Sequence, residues 1–125
     1  MMLELFHLGT WLPICDASLL TPGRGMAALL PGGDQAALFR DRAGRLYAIG
    51  NRDPFTGAQV LSRGLLGSAA GRPFVASPLL KQRFDLETGR CLDDEEVSVP
   101  VFPVRTAGPA DRPAVRRVAE PALQR

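Results

Sequence analysis

Two short stretches hold side chains that could take part in chemistry: Asn51-Arg-Asp-Pro-Phe-Thr-Gly-Ala58 and Val75-Ala-Ser-Pro-Leu-Leu-Lys81. Each sets an oxygen-bearing residue directly before a proline, Asp53 in the first and Ser77 in the second, a pairing that starts turns at strand ends. The remaining inventory is thin. His7 is the one histidine, with no Ser or Cys arranged beside it as a nucleophile, and a lone imidazole on a first strand is expected to be structural. Cys15 and Cys91 form no Cys-x-x-Cys pair, which removes a zinc site and a thioredoxin-like motif; their count alone allows a disulfide, while the missing export signal makes two reduced, mostly buried thiols the expected state. Asp93-Asp-Glu-Glu96 lacks the alternating ligand spacing and central glycine of a calcium loop, so it is expected to be a solvated turn. The glycines at 32–33 and 67–71 follow neither Walker nor dinucleotide spacing and are expected to be turns.

The elements around these loops follow from composition. A chain of 125 residues with 46% apolar content can bury one core, and 13 glycines and 11 prolines suit short strands joined by turns. The expected class is all-β. The formal charge is only +2, with Arg105, Arg112, Arg116, Arg117 and Arg125 gathered near the end. Without interleaved aromatics this basic run is a solvated tail and no nucleic-acid arm. No apolar run approaches the roughly 18 residues of a membrane span, and the first six residues carry no basic leader, so a cytoplasmic protein with no membrane partner is expected. Residues 1–106 are expected to form the domain and 107–125 a flexible basic tail rich in Pro, Ala and Arg, or a short helix against a partner.

Along the chain, residues 3–8 are expected as a first strand and 11–14 as an apolar corner with Trp11 covering one end of a barrel. One helical turn capped by Asp16 follows, stopped by Pro22 and Gly23. Strands over 26–30, 35–40 and 45–50, linked by glycine turns, predict an antiparallel meander covered on both faces. Short strands are expected over 61–66 and 72–75, a hairpin over 83–89 with Phe84 and Leu86 pointing one way, and an alternating edge strand over 97–104.

Two loops inserted in a small antiparallel barrel or sandwich, followed by Phe84-Asp-Leu-Glu-Thr-Gly89, resemble the Rieske [2Fe-2S] fold. That family writes its loops Cys-Pro-His-x-Gly-Ala and Cys-Pro-x-His. This chain has Asp53-Pro-Phe-Thr-Gly-Ala58 and Ser77-Pro-Leu-Leu80 in their place, and keeps Tyr47-Ala-Ile49, Leu61, Gly64 and Thr88-Gly89 around them. The resemblance thus puts Asp53, Phe55, Ser77 and Leu80 at the four ligand positions. A Rieske cluster needs two thiolates on one iron and two imidazoles on the other. Phe55 and Leu80 have no donor atom, and the hard oxygens of Asp53 and Ser77 suit a sulfide-bridged iron poorly. His7 is one imidazole where two are required, and Cys91 lies beyond the hairpin. These four are therefore vestigial ligand positions, and no cofactor or metal is expected on this chain. Phe55 and Leu80 are expected to fill the gap between the loops with hydrocarbon.

The longer runs Tyr47-Ala-Ile-Gly-Asn-Arg-Asp-Pro-Phe-Thr-Gly-Ala58 and Ser77-Pro-Leu-Leu-Lys-Gln-Arg-Phe-Asp-Leu86 are similar to the small-subunit family of assimilatory NAD(P)H-dependent nitrite reductases. Members of that family are Rieske-like and also lack the ligands, and the likeness covers about residues 11–105. It implies an accessory subunit of an oxidoreductase that reduces nitrite to ammonium in nitrate assimilation. Its partner would be the large catalytic subunit, which holds FAD, siroheme and a [4Fe-4S] cluster and takes electrons from NAD(P)H. No catalytic residue is implied on this chain. Arg52, Arg63, Lys81 and Arg83 surround the loops with Phe55 and Leu80 among them, an apolar centre and basic rim that form a candidate docking patch. A stand-alone Rieske-like binding module and a [2Fe-2S] electron-transfer ferredoxin are the competing possibilities, the second opposed by the missing ligands.

Overall fold

The computed structural model describes residues 1–108. Its nine strands form three antiparallel three-stranded sheets, ordered β2-β1-β9, β3-β4-β5 and β6-β7-β8, and the all-β expectation holds.

In the first sheet β1 (Met2–His7) lies between β2 (Thr10–Asp16) and β9 (Val104–Ala107). The expected corner at residues 11–14 is instead part of β2. Pro13 is tolerated there because it stands opposite Glu4 where the register shifts, so the ladder is already interrupted at that point. Trp11 packs edge-on against Phe6, with the Arg105 guanidinium 4.1 Å above its ring. Arg105 also donates to the buried Glu4 carboxylate at 2.7 Å and ties β9 to β1. Asp16 caps the 3₁₀ turn Ala17–Leu19 by accepting from the Ser18 amide, as expected.

The meander consists of β3 (Met26–Leu29), β4 (Gln35–Arg40) and β5 (Leu46–Gly50). It is the wall between two hydrophobic cores. Ala36 and Leu38 of β4 face one core with Leu3, Leu5 and Ile14, while Ala37 and Phe39 face the other with Leu61, Val75 and Phe84. Residues 36–39 are consequently all buried, because apolar side chains are needed on both faces of a strand covered on both sides. Cys15 and Cys91 are free and buried, one in each core.

The third sheet, β6 (Leu65–Ala69), β7 (Arg72–Ala76) and β8 (Arg83–Asp85), carries the second loop at the end of β7. Two expectations fail here. Residues 61–63 form a 3₁₀ turn, not a strand, and β6 begins at Leu65 and runs through Gly67, which was expected in a turn. Gly64 lies against the Ala76 carbonyl and the Val75 side chain, so a Cβ there would collide with β7. At Gly67 the Phe74 ring occupies the place a side chain would take. The hairpin expected over 83–89 forms, with Phe84 and Leu86 both buried and Phe84 bridged to Cys91. The expected strand over 97–104 breaks into single bridges, Arg90 with Ser98 and Ile49 with Val101, before β9 starts at Val104. Pro100 and Pro103 have no N–H to give, though their carbonyls accept from Gly50 and Phe6. Strand β9 continues through Ala107, and the expected tail beyond Gly108 lies outside the described residues.

Candidate functional site

The two proline loops have the same construction. In the first, the Asp53 amide donates to the Ala58 carbonyl at 2.8 Å, the Gly57 amide donates to the Asp53 carbonyl at 2.7 Å, and Arg52 bridges to Gln59. In the second, the Ser77 amide donates to the Gln82 carbonyl at 2.8 Å and the Lys81 amide donates to the Ser77 carbonyl at 3.1 Å. Each residue before the proline accepts from the amide two positions on: Phe55 donates to Asp53 Oδ1 at 2.8 Å, and Leu79 to Ser77 Oγ at 3.2 Å. These are the side-chain-closed turns that Asp-Pro and Ser-Pro favour.

The loops are then joined to each other. Ser77 Oγ donates to Asp53 Oδ2 at 2.6 Å, and both residues are buried, Asp53 at 0% exposure and Ser77 at 1%. Buried in this way, a polar pair must satisfy its own hydrogen bonds, and this one does so with one mutual bond and two turn amides. Asn51 fixes the base of the first loop. Its Oδ1 accepts from the Ser62 amide at 2.7 Å, its Nδ2 donates to Gln35 Oε1 at 2.9 Å, and its carbonyl accepts from the Leu61 amide. Asp85 closes the hairpin turn that follows β8 and ties it to β7, accepting from the Glu87 and Thr88 amides and from the Arg72 guanidinium at 2.6 Å. Burial pushes the Asp85 carboxyl up, but those hydrogen bonds outweigh it and hold the group below the ordinary carboxylate range.

Phe55 and Leu80 do not fill the space between the loops. They are 36% and 56% exposed, with Leu79 49% exposed beside them, and the Phe55 ring reaches inward only to Phe84 at 6.3 Å between centroids. The expected hydrocarbon plug is replaced by the Asp53–Ser77 hydrogen bond, because each loop turns its oxygen inward to close its own turn and leaves the later apolar residues outside. Lys81, at the end of the second loop, adopts a left-handed conformation with φ 67°.

The other sequence candidates separate. Arg52 and Lys81 are exposed, and neither forms an ion pair among the described residues. Arg83 is engaged: its guanidinium holds Asp93 at 2.8 Å and lies 5.6 Å from the Phe74 ring centre, and that contact keeps the Asp93 carboxyl below its ordinary range. Arg63 sits on the 3₁₀ turn at Leu61–Arg63 and lines a separate cleft. His7 packs edge-on to Phe102, and its Nε2 stands 4.0 Å from Asp34. Sequence reasoning named neither Leu79 nor the roles of Asn51 and Asp85. The signal for Asp85 was its place between Phe84 and Leu86 in a hairpin, where a polar residue alternates with apolar ones and must cap the turn.

The donor set does not fit an iron-sulfur cluster. Asp53 and Ser77 present hard oxygens hydrogen-bonded to each other, and Phe55 and Leu80 have no donor atom to offer an iron. Among the described residues no group of three or more His, Cys, Asp and Glu side chains is placed to hold a metal ion. No described helix is long and apolar enough to cross a membrane.

Comparison with known proteins places these observations in context. The Rieske-like [2Fe-2S] domain family matches residues 10–110. The nitrite reductase (NADH) small subunit of Salmonella typhimurium is 47% identical over 96 residues, covering 76% of this chain and 88% of that protein. The nitrite reductase [NAD(P)H] large subunit of Klebsiella oxytoca is 46% identical over 95 residues, again 76% of this chain but only 10% of that much longer protein. Among solved structures, one from Mycobacterium tuberculosis assigned as an NADH-dependent nitrite reductase small subunit superposes with a TM-score of 0.70 at 48% identity. It covers 75% of this chain and 93% of that one.

Proposed function

The chain belongs to the Rieske-like [2Fe-2S] domain family and, within it, to the nitrite reductase small subunits, and on that premise we propose that it is the accessory small subunit of an NAD(P)H-dependent nitrite reductase. In this role it docks on the large catalytic subunit of a cytoplasmic oxidoreductase that reduces nitrite to ammonium in nitrate assimilation. NAD(P)H, FAD, siroheme and the [4Fe-4S] cluster belong to that large subunit, and this chain contributes no catalytic residue.

The observation that carries the proposal is the polarity of the loop pair. Asp53 and Ser77 close on each other inside, while Phe55, Leu79 and Leu80 stand outside. Exposed apolar side chains edged by Arg52 and Lys81, which form no ion pair among the described residues, make a surface suited to desolvation by a partner. Arg83, bound to Asp93, supports the frame more than the rim. The Klebsiella oxytoca likeness adds support, since a stretch like this chain occurs there within a single large polypeptide.

The test is reconstitution. Nitrite-dependent NADH oxidation by the large subunit is expected to require this chain, and Arg52→Glu with Lys81→Glu is expected to weaken co-purification at least tenfold. Full activity of the large subunit alone, or unchanged co-purification of the double variant, would refute the subunit role and the docking face respectively.

A further inference from the structure

A cleft of about 720 Å³ is lined in part by Leu20 and Met26 of the first core, and none of Arg52, Phe55, Leu80 or Lys81 lines it. Two sheet edges that pair with no further strand among the described residues border it. Strand β3 is the outer strand of its sheet and contributes Met26 and Ala27; strand β6 is the outer strand of its own and contributes Leu65, which is 76% exposed. Arg24 and Arg63 stand on the lining, which contains no Asp or Glu, and neither arginine makes an ion pair among the described residues. Gln35 also faces the cleft. Its Oε1 accepts from Asn51, which leaves its amide hydrogens as further donors.

Such a cleft offers donors and positive charge with no acceptor charge to answer them. Open strand edges additionally present unpaired backbone groups, which a cleft-bound chain in extended form can satisfy. An extended segment of a few residues, advancing about 3.3 Å each, suits a cleft of this size. The chain's own residues after 108 are an unsuitable occupant, since arginines outnumber acids there and would face Arg24 and Arg63.

We infer that this cleft receives an extended acidic segment of the large subunit, its backbone on the open edges of β3 and β6 and its carboxylates on Arg24 and Arg63. The partner's identity rests on the small-subunit proposal above; the extended, acidic character rests on the cleft alone. It is a second contact, separate from the Phe55, Leu80, Arg52 and Lys81 face, although Asn51 and Gln59 at the base of the first loop also line it.

Two measurements on the full-length chain test it. In hydrogen exchange with the large subunit bound, amides of β3 and β6 that face away from their paired strands are expected to slow at least tenfold. The Arg24→Glu/Arg63→Glu variant, both changes being at exposed positions, is expected to keep the wild-type melting temperature and lose at least tenfold in affinity. Wild-type affinity in that variant, or edge amides unaffected by the partner, would overturn the cleft contact while leaving the subunit role standing. Slow edge amides in the free chain would overturn it too, by showing the cleft already filled. Failure of the wild-type chain to bind the large subunit at all would instead remove the small-subunit proposal on which the partner rests.

Discussion

The first core and the loop pair are built on opposite principles. Leu3, Leu5, Ile14, Leu20 and Leu38 gather there with Cys15, and the arrangement is held by packing. Above the second core, Asn51, Asp53, Ser62, Ser77 and Asp85 are all buried, while Phe55, Leu79 and Leu80 face outward. A core of the first kind tolerates exchange among side chains of similar volume. A polar lattice of the second kind fixes one geometry, since the Asn51, Asp53 and Asp85 oxygens have assigned donors and loss of a partner leaves another group unsatisfied. The two loops are thus joined here by hydrogen bonds between buried oxygens, while their apolar side chains face outward.

The contrast can be broken from either side. The largest effect is expected for hydrocarbon removal beneath the loops: Phe84→Ala should cost about 3–5 kcal/mol in urea denaturation. Asp53→Ala should cost about 1–3 kcal/mol, because it strands the Ser77 hydroxyl and the Phe55 amide in a buried place. A double-mutant cycle with Ser77→Ala sharpens the point, since the two losses are expected to be clearly non-additive. Additive losses would mean the two loops stand independently.

Acid should act on the loop half through Asp85. Its carboxyl is held below the ordinary value of 3.8, so the stability it contributes is complete above that value and is lost as pH falls through its lowered folded value. Denaturation midpoints measured down the acid range should fall less steeply in Arg72→Gln, which removes the guanidinium donor. The smallest effect on stability is expected at the outer face. Leu80→Ala and Phe55→Ala should each change stability by less than about 1 kcal/mol, the usual range for exposed sites, while weakening large-subunit binding measurably. A loss of several kcal/mol at Phe55 would restore the hydrocarbon plug.

Much of this was legible in the residues. The Gly32-Gly33 turn and the continuous apolar run of β4 gave the meander and its two covered faces, and the Asp-Pro and Ser-Pro steps located both loops. The ends of elements were not legible where long-range contact decides them. Pro13 reads as a break but sits at a bulge; Gly67 reads as a turn but makes room for the Phe74 ring. In the site, side-chain type identified which atoms could not bind iron. It did not tell which side chains turn inward, because that depends on each oxygen closing its own turn before the loops meet.

The most direct test of a loop pair held by oxygens instead of by a cluster is the iron and acid-labile sulfide content of full-length protein purified without oxygen from iron-replete cells. The expected result is far less than one iron per chain, with no visible absorption or paramagnetic signal after reduction. Two irons and two sulfides per chain, with a reduced-state paramagnetic signal, would contradict it.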